Sequence, residues 1–177
     1  MGQPRSGDVL ELGLAPMRGL AVSGFTSDAS DVERRWRRGH TCLRRMSAID
    51  QLRDAIPFSN ELGIELLEAT ADLVRAKLDW TPERCTVAGV MHGGALMALA
   101  DNGGGLCAFL NLPEGAVGTA TIESKTNFIR AVREGTVIAA TRPLHKGRTL
   151  IVLETELTRG DGKLAAKVTQ TQAFHYP

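Results

Sequence analysis

Met91-His92-Gly93-Gly94-Ala95-Leu96-Met97-Ala98-Leu99-Ala100-Asp101-Asn102-Gly103-Gly104-Gly105-Leu106-Cys107-Ala108-Phe109-Leu110 is the stretch on which the fold turns. From Gly94 to Leu110 it carries Ala, Leu, Met, Cys and Phe on nearly every side, and Pro113 with Gly115 marks its exit. That pattern predicts a buried helix. An ionisable group inside such a helix needs a reason, because burying a carboxylate is costly or forces it to take up a proton. Asp101 either lies on a wet side, caps a neighbouring element, or has a chemical task. Gly103, Gly104 and Gly105 follow it directly, and three interior glycines cost about 3 kcal/mol of helix propensity relative to alanine. Close approach of another part of the chain or of a ligand is the usual return for removing side chains.

At the entrance to the same helix stands Met91-His92-Gly93-Gly94. The first backbone N–H groups of a helix have no partners within it and carry the positive end of its dipole. Bare amides there can bind a developing oxyanion. Alone, His-Gly-Gly serves a turn as readily as a reaction; an aspartate nine residues past the histidine makes the pattern far more specific. At 1.5 Å of rise per residue, Gly93 and Asp101 lie about 12 Å apart along the axis, too far to touch one reacting carbon. A second copy of the helix running antiparallel would bring Asp101 of one chain to Gly93 of the other. The expectation is a site shared across a two-fold dimer, twice per dimer.

Outward from the helix, Leu62 to Ala71 is rich in branched residues. Leu73 to Trp80 alternates, with Val74, Ala76, Leu78 and Trp80 on one face. Both read as strands. Past the helix, Ala120 to Val132, Thr136 to Leu144, Thr149 to Thr158 and Leu164 to Phe174 read as four more, with Arg159-Gly160-Asp161-Gly162 the clearest hairpin signal. Strands on both sides of one enclosed helix predict an α+β domain, a curved antiparallel sheet wrapped around that helix. Before these, Ser47 with Asp50 forms a capping box ahead of Ile49, Leu52 and Ile56, a short amphipathic helix that Pro57 is expected to end.

Residues 1–45 differ from the rest, with 8 arginines against 5 acidic residues, whereas the remainder holds 13 basic and 15 acidic. They read as a solvated, flexible extension ahead of a domain over 46–177, with a docking arm for an anionic partner as the other reading and Met46 as an alternative start. The 177 residues suit one domain with a tail, and 43% apolar with 23% charged residues suits a globular chain. No apolar run approaches the ~18 residues a membrane span needs. A net charge of +1 gives no broad footprint for nucleic acid or an anionic membrane. Cys42, Cys85 and Cys107 form no close pair, so neither a disulfide framework nor a thiolate zinc site is indicated, and a reducing, cytoplasmic setting is expected. The N-terminus lacks the apolar block of a signal peptide. Dinucleotide, P-loop and nucleophile-elbow patterns do not occur, and the four histidines are too scattered for a metal cluster.

Over roughly Met46 to Phe174 the chain resembles the PaaI-like branch of the hotdog-fold acyl-CoA thioesterases. The resemblance rests on Pro57-Phe58 with Leu62-Gly63, Gly89-Val90-Met91-His92-Gly93-Gly94 with Leu99-Ala100-Asp101, Asn127-Phe128-Ile129-Arg130, Lys146-Gly147-Arg148 and Gly162-Lys163-Leu164. It implies that Asp101 attacks the thioester or activates water, and that the Gly93 amide polarises the carbonyl from the opposite subunit. It also implies a homodimer that pairs into a homotetramer, and no metal or organic cofactor. Where many relatives carry an asparagine six residues before the histidine, this chain has Thr86. Thr121 is the expected hydroxyl partner of the acid, with Thr119 behind it. His92 is read as holding the loop that presents Gly93 rather than as a base.

Coenzyme A carries phosphates, so a local cationic patch is expected. Arg130, Lys146 and Arg148 are its candidates, with Arg142 a lesser one; each also reads as an ordinary surface cation. Phe58 and Leu62 are candidate walls of an acyl chamber or simply core, and Gly94 and Asn102 complete the expected substrate contacts. The expectation is an acyl-CoA thioester hydrolase. Its rivals are a hotdog module that binds acyl-CoA without turnover, and a hydratase, which would want a histidine paired with an acid on the helix.

Overall fold

A computed structural model of the chain describes residues 56–177, and the expectations for residues 1–45, for Met46 as a start and for most of the Ser47 helix lie outside the described residues. In chain order the elements are α1 (Pro57–Glu61), β1 (Glu65–Ala69), β2 (Val74–Asp79), α2 (Gly93–Phe109), β3 (Gly118–Phe128), β4 (Thr136–Lys146), β5 (Leu150–Arg159) and β6 (Leu164–His175). Two single-turn 3-10 segments, Pro82–Arg84 and Val87–Gly89, lie between β2 and α2. The strands form one antiparallel sheet in the order β1-β2-β4-β5-β6-β3. This is the α+β arrangement expected, with α2 packed against β2, β3, β4, β5 and β6.

Alternation explains why the sheet closes on the helix. Val74, Ala76 and Leu78 of β2, Val137 and Ala139 of β4, Ile151, Leu153 and Leu157 of β5, and Ala166 and Val168 of β6 are all buried on one face. Leu96, Leu99 and Ala100 of α2 pack into one cluster with part of that face, and Leu106, Cys107 and Ala108 into a second with Val74, Ile151, Leu153 and Phe174. Burying each leucine fully contributes about 1.5 to 3 kcal/mol, so these two clusters hold both halves of the helix down. Polar residues also face inward: Thr141, Thr155, Gln170 and Gln172 are buried, and the Thr141 and Thr155 hydroxyls bond to each other at 2.8 Å.

Three boundaries depart most from expectation, each for a local reason; the others shift by one or two residues. Pro57 opens α1 instead of only ending a helix, because proline suits a first helical position, where no N–H is needed. β1 begins at Glu65 because Leu62 and Gly63 spend their N–H groups closing α1, on Phe58 O and Asn60 O at 3.0 Å each. β3 ends at Phe128, short of Val132, because Ile129 and Arg130 both donate to Ala165 O, at 2.8 and 2.9 Å, and Val132 turns inward to accept from Met91 N at 2.8 Å. That last departure anchors the loop ahead of α2.

Candidate active site

The chain from Trp80 to His92 is a loop held largely by bonds to its backbone. Thr86 N–H donates to Val90 O at 2.8 Å, Cys85 and Met91 form an antiparallel bridge, and His92 N–H donates to Arg84 O at 2.8 Å. The Trp80 indole N–H donates to Gly89 O and Arg133 to Ala88 O, each at 3.0 Å. Ala88 sits at φ +61°, a region that costs a non-glycine residue about 1 to 2 kcal/mol, so the loop is held against local preference. His92 is the N-cap of α2: its Nδ1 accepts from Gly94 N–H at 2.9 Å, and its carbonyl accepts from Ala95 and Leu96. The Gly94 amide is thereby occupied, and the Gly93 N–H has no partner among the described residues.

Gly93 leaves room for an aromatic ring. A Cβ there would lie 2.9 Å from Cζ of Phe128, whose ring covers the start of the helix. The glycine opens onto a groove of about 370 Å³ lined also by Thr86, Val90, Leu96, Ile129 and Arg130. The Arg130 guanidinium is anchored by a 2.9 Å bond to Leu164 O.

Asp101, two turns further along, is exposed on the face of α2 beside β3. Its Oδ1 accepts from the Thr121 hydroxyl at 3.0 Å and from Gln170 Nε2. Thr121 in turn accepts from Gln172 Nε2 at 2.7 Å and Gln170 Nε2 at 3.1 Å, while Thr119 donates to Gln172 Oε1 at 3.2 Å. Oδ2 takes no bond among the described residues. The structure therefore brings the expected pair Asp101 and Thr121 together and adds Gln170 and Gln172, which the sequence reading missed. A signal existed: the inward row of β6 runs Ala166, Val168, Gln170, Gln172, Phe174, two amides in an otherwise apolar alternation.

The remaining candidates are dispersed. Asn102 turns the other way and donates to the Ser59 hydroxyl, tying α1 to α2. Phe58 and Leu62 line a second groove, of about 440 Å³, with Arg84, His92, Gly94 and Ala98. Lys146 pairs with Asp72 at 2.8 Å and reaches Ala71 O at 3.3 Å. Asn111, just past the end of α2, also holds Ala71 O, so Lys146 lies at the C-terminal end of the helix, away from Gly93. Arg148 is exposed in the turn between β4 and β5, its carbonyl accepting from the Tyr176 hydroxyl. Among the described residues no three His, Cys, Asp or Glu side chains converge as a metal site requires.

The family model of the thioesterase superfamily matches residues 88–166, from the loop ahead of Gly93 to the third residue of β6. A candidate esterase of Mycobacterium tuberculosis is 34% identical over 95 residues, 52% of this chain and 68% of that protein. The chain belongs to the thioesterase superfamily. It is a hydrolase acting on thioesters, and its sheet and helix are the hotdog fold. A Haemophilus influenzae thioesterase superposes with a TM-score of 0.69 at 26% identity, covering 75% of this chain and 94% of that one. The PaaI protein of Escherichia coli shares the fold, with a TM-score of 0.64 at 17% identity over 71% of this chain and 88% of that one.

Proposed function

We propose that this thioesterase hydrolyses acyl-CoA at a site built from two copies of the chain, Asp101 of one facing the Gly93 amide of the other. The observation that carries the reading is the pairing of an oriented, exposed carboxylate with an unpartnered helix N–H that a single chain keeps about 12 Å apart along α2. β3 supplies the means of joining them. It is an edge strand 11 residues long, exposed along most of its length, with Ile122 62% exposed, and Met97 on α2 is 42% exposed. A free edge with apolar neighbours is a template for another strand. Antiparallel pairing of two β3 strands sets the two α2 helices antiparallel, and dimers of this kind can pair again into tetramers.

In that site the thioester oxygen accepts the Gly93 N–H, which stabilises the charge that develops when the carbonyl carbon is attacked. The attacking oxygen is either that of Asp101 itself or that of a water that Asp101 activates. As a nucleophile, Oδ2 forms a mixed anhydride, the CoA thiolate leaves, and water then cleaves the anhydride. As a general base, Asp101 takes a proton from water, the water oxygen bonds to carbon, and the proton passes to the departing sulfur. Both routes yield a carboxylic acid and free CoA, and neither requires a metal or organic cofactor. The antiparallel arrangement also carries Lys146 and Arg148, at the C-terminal end of α2, toward the second copy's Gly93 groove and its Arg130, where the phosphates of CoA would be held. A cytoplasmic setting suits this substrate and the free thiols of Cys85 and Cys107.

The test is thiol release across short, medium, long and aromatic acyl-CoAs with a chelator present. Hydrolysis of at least one class is expected, falling about 10²- to 10⁴-fold in Asp101→Asn. Full activity of Asp101→Asn would refute the assignment, and saturable binding without thiol release would mark a binding module instead.

A further inference from the structure

We infer that Gln170 is a positioning residue for the Asp101 carboxylate, and that Gly104 exists to make room for it. The inference rests on the reading of Asp101 above and extends it beneath the helix, to the inward row of β6.

Gln170 is 1% exposed, in the inward row of β6 between Val168 and Gln172. A leucine or methionine there would satisfy the core without polar cost. Instead the amide donates from Nε2 to both Asp101 Oδ1 and Thr121 Oγ1. Its own Oε1 is buried with no hydrogen-bond partner, a destabilising condition. Turning the amide over would set Oε1 against the carboxylate, acceptor against acceptor. The orphaned carbonyl is thus the consequence of keeping the N–H groups on Asp101.

Two more features depend on the same amide. A Cβ on Gly104 would come within 1.8 Å of Gln170 Oε1, so any other residue at 104 would expel the amide from its place. And Thr121 Oγ1 accepts from both Gln170 and Gln172, which fills its lone pairs and leaves its one proton only Asp101 Oδ1 to go to. The two glutamines therefore fix the direction of the threonine as well as of the acid. Oδ1 is saturated, carboxylate rotation is stopped, and Oδ2 is the oxygen presented for chemistry.

The experiment is steady-state thiol release by the purified enzyme and three variants. Gln170→Met keeps the length and removes the donor; kcat is expected to fall about 10- to 100-fold, the scale of lost orientation, with KM within about 3-fold. Gly104→Ala leaves Gln170 in the sequence but puts a methyl where its amide sits, and the same loss of kcat is expected. Gly103→Ala is the control: it adds a methyl one residue earlier, 2.6 Å from Thr141 Oγ1, which bonds Thr155 and not Asp101. Its kcat per folded enzyme is expected to stay within about 3-fold of the parent, because orientation at Asp101 is untouched. A parental kcat in Gln170→Met, with Asp101→Asn inactive, would overturn this inference and leave the reading of Asp101 standing. Should Gln170→Met fail to fold, equal activities of Gly104→Ala and Gly103→Ala would overturn it just as well. An active Asp101→Asn would remove the reading on which it rests.

Discussion

The two faces of α2 obey different rules. Inward, each residue is accounted for by the chain's own sheet: Leu99 and Ala100 are fully buried, Gly103 gives way to Thr141 and Gly104 to Gln170. Outward, the accounting stops. Met97 is 42% exposed, Asp101 presents an unbonded oxygen, and a Cβ on Gly105 would meet nothing within 4 Å. These three follow one another at helical spacing of four, a stripe whose composition one chain does not require. The proposed two-chain site gives this outward stripe the partner that the described residues do not supply.

The largest effect separates the faces directly. Asp101→Asn changes the outward face and should abolish most turnover while leaving the melting temperature almost unmoved. Leu99→Ala changes the inward face and should cost about 2 to 5 kcal/mol of stability while preserving kcat per folded enzyme. Denaturant unfolding and thiol release on both variants form the check. A destabilised Asp101→Asn, or a Leu99→Ala that loses kcat instead of stability, would break the division.

Gly105 offers a finer cut. Within one chain, Gly105→Ala should stabilise α2 by up to about 1 kcal/mol, since alanine favours helix and the new methyl meets open space. If a second copy seats its helix there, the methyl intrudes, and dimer dissociation should become about tenfold easier, the equivalent of 1.4 kcal/mol. Analytical ultracentrifugation over a dilution series separates these outcomes. Unchanged association would show that the glycine has no partner at that point of the stripe.

How much of this was legible in the sequence follows the range of the interactions. The helix, the strands and their α+β arrangement came from periodicity, which is local. Asp101 stood out because a carboxylate breaks an apolar pattern, and Thr121 as its partner followed from the family resemblance. Gln170 and Gln172 were passed over because Val168-Thr169-Gln170-Thr171-Gln172 reads as a polar strand until its parity is counted from Phe174. Contacts between distant segments were invisible: Asn102 with Ser59, and Lys146 with Asp72, are fixed by how turns pack and not by spacing. In sequence Pro57 looks like a stop, because a proline ends one helix and opens another with the same chemistry.

The smallest effect tests whether the inward face is dry. Cys107, on that side of α2, is fully buried, and burial pushes its thiol up to about 11, with Asp72 adding to the rise and Lys146 opposing it. An unfolded cysteine ionises near about 8.5. A group held protonated by the fold contributes stability that is complete below the unfolded value and is lost as pH climbs toward the folded one. Between about pH 8.5 and 11, therefore, the enzyme should lose stability, and Cys107→Ala should lose less over the same interval while starting slightly lower from lost packing. Chemical denaturation at a series of pH values in parent and variant isolates the thiol from other groups titrating there. Parallel curves would mean that Cys107 ionises as freely folded as unfolded, which a face sealed by Leu106, Ile151 and Phe174 does not permit.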